Sequence, residues 1–241
     1  MNNTVKELLN RKSVRVFTDK KISKEDKDTI LLAAANAPTA GNMQLYSIID
    51  ITTKKAKEKL SVLCDNQPFI KEGKMVLVFV ADYLKWVDAF SFANANPRPL
   101  GKGDLLLAIE DAMCASQNAV TAANSLNIGS CYIGDIMENH DEVKELLNLP
   151  DTVYPVCMLV FGYPTKQQID RVKPERIDMK YLIHKDTYKR KDEKTLEKMF
   201  SKKVKKDLYK EYLKNFCKRK YNSDFSKEMN RSARKYLKEF K

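Results

Sequence analysis

Histidine is nearly missing from this chain. Only His140 and His184 occur among 241 residues, which excludes a histidine-rich metal site. His140 stands in N-H-D at an expected helix start, where a capping or surface role is anticipated; His184 is expected to be structural. Cysteine is sparse as well. Cys64, Cys114, Cys131, Cys157 and Cys217 are odd in number, scattered and never in a C-x-x-C pair, so neither a zinc site nor a disulfide framework is expected. Free, buried thiols in a reducing cytoplasm fit this usage. No apolar run approaches the ~18 residues of a membrane span, and the opening M-N-N-T leads straight into a charged amphipathic segment rather than a signal-like one. A cytoplasmic location without membrane attachment is the expectation. Nucleophile-elbow, P-loop and dinucleotide-fingerprint patterns are absent too. The side-chain sets that usually carry catalysis are therefore missing.

What the chain has in excess is positive charge, and it is unevenly placed. The formal net charge is +12. Residues 185–241 hold 21 Lys+Arg against 9 Asp+Glu, and residues 1–184 balance to zero. The composition predicts a neutral body over 1–184 and a basic helical extension over 185–241. Clustered cations are the footprint of nucleic-acid binding, but the aromatics of this tail fall on the apolar faces of amphipathic helices, so nucleic acid is not the expected partner. Leu196, Phe200, Leu208, Leu213, Phe216 and Leu237 at helical spacing imply burial against something. The tail is expected to fold as helices over the body and to embrace a second subunit, with outward cations that attract the phosphates of a nucleotide.

The body is organised around Asp104–Ile136. From Asp104 to Leu126 no Pro or Gly intervenes, and Leu105, Leu106, Ile109, Ala112, Met113, Val120, Ala123 and Leu126 recur at helical spacing. Asp104 is placed to accept from the first-turn N–H groups. So little charge predicts a helix buried on most sides, and its many alanines permit close approach of another helix, with a subunit interface as the sharper reading. Strands are predicted over Tyr46–Thr52, Met75–Ala81, Ser130–Ile136 and Tyr154–Gly162, with a further short one in M-K-Y-L-I-H. Helices are predicted over Thr4–Asn10, from Ser23 to before Pro38, Lys54–Leu63 and Asp141–Leu147. Loops are read at N-Q-P-F-I and at Y-P-T-K-Q-Q, and a mobile arm over Tyr83–Ala95. Helices between very apolar strands argue for a sheet covered on both faces.

Two segments bear on binding. In R-K-S-V-R-V-F, alternation places Arg11, Ser13 and Arg15 on one side and Val14 and Val16 on the other. Guanidinium forks suit a phosphate, and the same pattern fits a solvated strand edge. The loop A-P-T-A-G-N-M-Q is rich in small residues, which lets backbone approach a ligand; an ordinary turn is the simpler reading. A phosphorylated organic cofactor would unite these features, because the cofactor then carries the chemistry.

The ordered set R-K-S-V-R-V-F, A-P-T-A-G-N-M-Q, C-Y-I-G, F-G-Y-P and K-P-E-R resembles the FMN-dependent nitroreductase family, most closely its oxygen-insensitive nitroreductase and flavin reductase branch, from Val5 to about Tyr188. The resemblance implies an α+β fold of three layers with a mixed central sheet flanked by helices, and an obligate homodimer holding FMN at its interface. It implies that Arg11, Lys12, Ser13 and Arg15 bind FMN, that Thr39, Ala40, Asn42 and Gln44 lie beside the flavin, contributed across the interface, and that Gln67 contacts the ring. Tyr132, Ile133 and Gly134 would lie below the ring, and Lys173 and Arg176 near the phosphate. It further implies hydride transfer from NADPH or NADH to the flavin N5, followed by an oxidant in the vacated place: a nitroaromatic, a quinone or a free flavin. No side chain need act as acid or base, and Lys12 or Lys173 would stabilise the reduced flavin. Another reductive role, such as dehalogenation, stays open. Two departures stand out: Asp135 occupies a position where a second glycine is common, and Glu175 interrupts the late cationic pair.

Overall fold

The computed structural model describes residues 1–241. Helix α1 (Asn3–Asn10) is capped by Asn2, whose Oδ1 accepts from Val5 N at 3.0 Å, and α2 (Lys24–Ala35) by Ser23, which accepts from Asp26 N. Strand β1 (Tyr46–Asp50) is followed by α3 (Lys54–Leu63) and the short α4 (Phe69–Glu72), where a loop was expected. Strand β2 (Met75–Asp82) leads to α5 (Leu84–Phe92) and the long α6 (Lys102–Ser125). Then come β3 (Gly129–Ile133), α7 (His140–Leu147), β4 (Val153–Gly162) and α8 (Lys166–Asp170), the last within a stretch read as a loop. The remainder holds α9 (Glu193–Phe200), α10 (Tyr209–Phe216), a π-turn over Cys217–Tyr221 and α11 (Asp224–Leu237). The anticipated strand in M-K-Y-L-I-H is a 3₁₀ turn over Met179–Tyr181, and the third strand stops at Ile133, giving way to a 3₁₀ turn over Asp135–Met137.

The strands form one sheet in the order β1-β2-β4-β3, every neighbouring pair antiparallel. The mixed character expected of it is confined to one parallel bridge, Ser13 to Ser130. Because side chains alternate along a strand, β2 feeds two cores. Leu77, Phe79 and Ala81 join Ile30 and Ala34 of α2 and Leu105, Ala112 and Ala119 of α6. Val76, Val78 and Val80 join Leu60 of α3, Ile70 of α4 and Val143 of α7. Helices thus cover both faces, in three layers.

Helix α6 buries its small residues together with Leu105 and Val120. Ala108, Ala112, Ala115, Ser116, Ala119 and Ala123 are buried, whereas Leu106 and Met113, assigned to its apolar face by spacing, are 61% and 40% exposed. Asp104 lies three residues inside the helix, not at its cap. Its carboxylate reaches back to Gly101 N at 2.9 Å and takes a bidentate pair from Arg98 at 2.6 and 2.9 Å, which holds the carboxyl below its usual range.

The chain divides into two compact units, residues 1–171 with 228–241, and residues 172–227. In the first, the end of α11 docks on the body. Tyr236 is fully buried between the His140 ring, 4.2 Å away, and the Tyr154 ring, 5.0 Å away. His140 is therefore a buried packing partner rather than a surface residue. Glu239 accepts from Thr152 N at 2.8 Å and from Lys144, and Lys241 N donates to Leu100 O at 3.0 Å. In the second unit, His184 stacks on Tyr188 at 4.9 Å and accepts from Lys189 N at 3.0 Å. All five cysteines are free, Cys114 and Cys217 exposed and the rest buried. No helix is long and apolar enough to cross a membrane.

Candidate active site

The segment Arg11–Phe17 lies along the outer strand β3 and the end of β4. Val14 N donates to Ser130 O at 2.9 Å, and Phe17 bridges to Pro164. Two glycines admit it: a Cβ on Gly129 would meet Val14 at 2.7 Å, and one on Gly162 would meet Phe17 at 2.7 Å. Val14 is buried, but Val16 is 46% exposed, so the expected two-sided alternation holds only where the segment pairs with Ser130.

This path gathers the early cations over β3. The Arg11 guanidinium lies 5.6 Å from the Tyr132 ring, and that of Arg15 lies 5.9 Å from Phe69, two residues beyond Gln67. Burial pushes the Cys131 thiol up, against the opposing influence of Arg15, Ser13 and Arg11. Burial also pushes the Tyr132 phenol up to about 12, which keeps it neutral near pH 7. Its hydroxyl lies 3.1 Å from Ser116 Oγ on α6. Ile133 is buried beneath, and Gly134 is exposed, with open space where a Cβ would stand.

Lys12 points elsewhere. Its ammonium donates to Ile169 O at 2.6 Å and to Arg171 O, while Arg171 donates to Ser13 O and Arg15 N to Gln168 Oε1 at 3.3 Å. These bonds fasten the cationic segment to the end of α8. Gln67 donates from its amide to Cys64 O at 2.9 Å, and Ser61 donates to Gln67 O at 2.8 Å. Lys173, half-buried, and Arg176, exposed, belong to the second compact unit, in a stretch without helix or strand.

The small-residue loop is more elaborate than an ordinary turn. Gly41, Asn42 and Gln44 all adopt left-handed φ, at 56°, 57° and 50°. Gln44 N donates to Thr39 Oγ1 at 2.7 Å. Asp111 of α6 accepts from the Thr39 hydroxyl, from Ala40 N at 2.9 Å and from Leu45 N at 3.0 Å. On the other side, Trp86 Nε1 donates to Met43 O at 2.6 Å, so the helix expected to be a mobile arm is tied to this loop. Asp111 escaped the sequence reading. The available signal was a carboxylate inside the alanine stripe that runs through Ala108, Ala112 and Ala115, where a charge is unexpected unless something holds it.

Residues 8–163 match the model of the nitroreductase family. The chain belongs to the nitroreductase family. Among curated members of that family, it is 35% identical to the FMN reductase (NADPH) of Bacillus subtilis over 190 residues, covering 78% of this chain and 75% of that protein. It is 34% identical to the oxygen-insensitive NADPH nitroreductase of Salmonella typhimurium, covering 81% and 79%. Among solved nitroreductase-fold structures, NfrA2 of B. megaterium superposes with a TM-score of 0.85 at 29% identity over the whole of both chains. The Vibrio harveyi NADPH:FMN oxidoreductase, solved with NAD+, gives 0.75 at 26% identity over 83% and 84%.

Proposed function

We propose that this nitroreductase is an FMN-dependent NAD(P)H oxidoreductase acting on flavins, nitroaromatics or quinones. The observation that carries this reading is the Arg11 guanidinium over Tyr132, next to the open backbone at Gly134, with Arg15 and Ser13 beside the adjacent Cys131 of the same strand. Two guanidinium groups and a hydroxyl beside an unobstructed ledge fit a flat ring that bears a phosphate. Family relatives named FMN reductase, oxygen-insensitive NADPH nitroreductase and Cr(VI) reductase support the same chemistry.

When bound, FMN supplies two-electron chemistry between a reduced nicotinamide and an acceptor. The chain's own residues bind and orient it. Arg11, Ser13 and Arg15 hold its anionic end, and Lys12 braces the segment through the carbonyls of Ile169 and Arg171. Tyr132, Ile133 and Gly134 form the ledge, with Gln67 at its margin. Thr39, Ala40, Asn42 and Gln44 close one side. No side chain here needs to transfer a proton, because orientation and electrostatic preorganisation supply the catalysis. The test is direct. The purified protein should show flavin absorption that NADPH bleaches, and Arg15→Ala should weaken FMN binding by about 1.5–3 kcal/mol, the range for charged hydrogen bonds. A folded Arg11→Ala/Arg15→Ala double variant with unchanged FMN affinity would remove the cations from the site.

The working unit in this proposal is a cytoplasmic homodimer. Leu106, Leu107 and Met113 leave α6 with an uncovered apolar face, the kind of patch that marks an interaction surface. Sedimentation equilibrium should return the mass of two chains. A single-chain mass with full flavin content at low concentration would defeat the dimer.

A further inference from the structure

Asp111 is a buried carboxylate whose partners all lie in one short loop. It is 4% exposed, and no lysine, arginine or histidine forms an ion pair with it. Both oxygens are instead taken by residues 39–45: Oδ1 accepts from Ala40 N, and Oδ2 from the Thr39 hydroxyl and Leu45 N. The Thr39 hydroxyl in turn accepts from Gln44 N. One carboxylate therefore fixes the two ends of the loop directly and a residue near its far end through a single relay. Lys85 acts on it only at longer range, and a charge buried this deeply without a direct ion pair is costly unless hydrogen bonds satisfy it. Here the satisfying donors belong to a loop that has no regular structure beyond one 3₁₀ turn and three left-handed residues.

The anchoring helix adds a second consideration. Asp111 and Ser116 are five residues apart on α6, about 7.5 Å along its axis. Ser116 Oγ meets the Tyr132 hydroxyl at 3.1 Å. The loop and the β3 ledge are thus referenced to the same rigid element, one through Asp111 and the other through Ser116.

We propose that Asp111 is a positioning residue: it holds the Thr39–Leu45 loop at the height over α6 at which its backbone and the side chains of Thr39 and Gln44 meet the flavin. The inference rests on the cofactor reading above and adds to it a residue that does not touch the cofactor. Asp111→Asn is the informative change because it keeps the shape. Its single carbonyl oxygen still accepts from Ala40 N, and its amide can donate to a rotated Thr39 hydroxyl, but it then presents N–H to the N–H of Leu45. One of three bonds is lost and the rest survive. Asp111→Ala loses all three.

The experiment uses the full-length protein, purified with FMN, then stripped and titrated. Three quantities are read: the FMN dissociation constant, the visible spectrum of bound flavin, and amide exchange of peptides covering residues 39–45 and 75–82. For Asp111→Asn the expected result is FMN affinity lowered by about tenfold, a shifted flavin spectrum, and faster exchange in 39–45 with the β2 peptide unchanged. Asp111→Ala, if it folds, should go further in the same direction. A folded Asp111→Asn protein that binds FMN within twofold of the wild type overturns the proposal, whether or not its loop exchanges faster, because the residue would then serve stability alone. Wild-type protein that takes up no FMN overturns the cofactor reading itself, and the proposal with it.

Discussion

Both compact units of this chain contain amphipathic helices, but only one has a core. Residues 1–171 with 228–241 enclose the sheet and bury whole side chains on both of its faces. Residues 172–227 contain helices with good apolar stripes, yet Tyr209 is their only buried residue. That unit also carries 19 Lys+Arg against 9 Asp+Glu, a surplus of ten within the chain's +12. Amphipathicity alone therefore does not tell whether a helix is packed; it tells which face would be packed if a partner were present.

The largest test of this difference sets one tyrosine against the other. Tyr236 is fully enclosed by His140 and Tyr154, whereas Tyr209 rests against Phe200 with ring centroids 6.2 Å apart. Tyr236→Ala should cost about 3–5 kcal/mol in chemical denaturation, the range for emptying an aromatic site in a well-packed core. Tyr209→Ala should cost about 1 kcal/mol, as for a site that is already loosely held. Equal losses would show that residues 172–227 are as tightly packed in solution as the body. Tyr236→Phe separates packing from polarity. The Tyr236 hydroxyl is buried without a hydrogen-bond partner, so its removal should leave stability unchanged or raise it.

The same contrast explains what could be read from the sequence. Met75–Ala81 and Tyr154–Gly162 were legible as central strands because a strand covered on both faces is apolar at every position. The uninterrupted run after Asp104 was legible as a helix for want of any breaker. Its inward face was legible in part: Leu105, Ala112, Val120 and Ala123 are buried as the spacing suggested and the alanines pack closely against α2, but Leu106 and Met113 lie outward. Phe69–Glu72 and Lys166–Asp170 are single turns, too short to establish a period. M-K-Y-L-I-H has strand-forming residues but pairs with no strand. At the site, the cations of R-K-S-V-R stood out because charge amid apolar anchors is conspicuous. Asp111 did not, because its role depends on backbone N–H groups some seventy residues away, which carry no side-chain signature.

Acidic residues sharpen the comparison further, since only the body holds one that is pushed above its usual range. In residues 172–227, the carboxyl of Asp178 is held below its usual range by a hydrogen bond from Lys202 at 2.5 Å. In the body, burial pushes Glu138 up to about 7, and the neighbouring acids Asp135, Asp65 and Glu228 add to it. One of its oxygens, Oε1, is buried with no partner. The sign follows from proton uptake. An unfolded glutamate titrates near 4.3, so between that pH and about 7 the folded state binds more protons than the unfolded one, and stability falls as pH rises through this window. Below it the contribution is neutral; above it the full penalty is present. Glu138→Gln removes the titration while keeping the shape. It should therefore leave stability nearly unchanged at pH 4 and stabilise the protein by about 2–3 kcal/mol at pH 8, read from denaturant midpoints at the two values. Equal effects at both pH values would mean that Glu138 is solvated in solution and that the acids around the Asp135 turn are as freely hydrated as those of the basic unit.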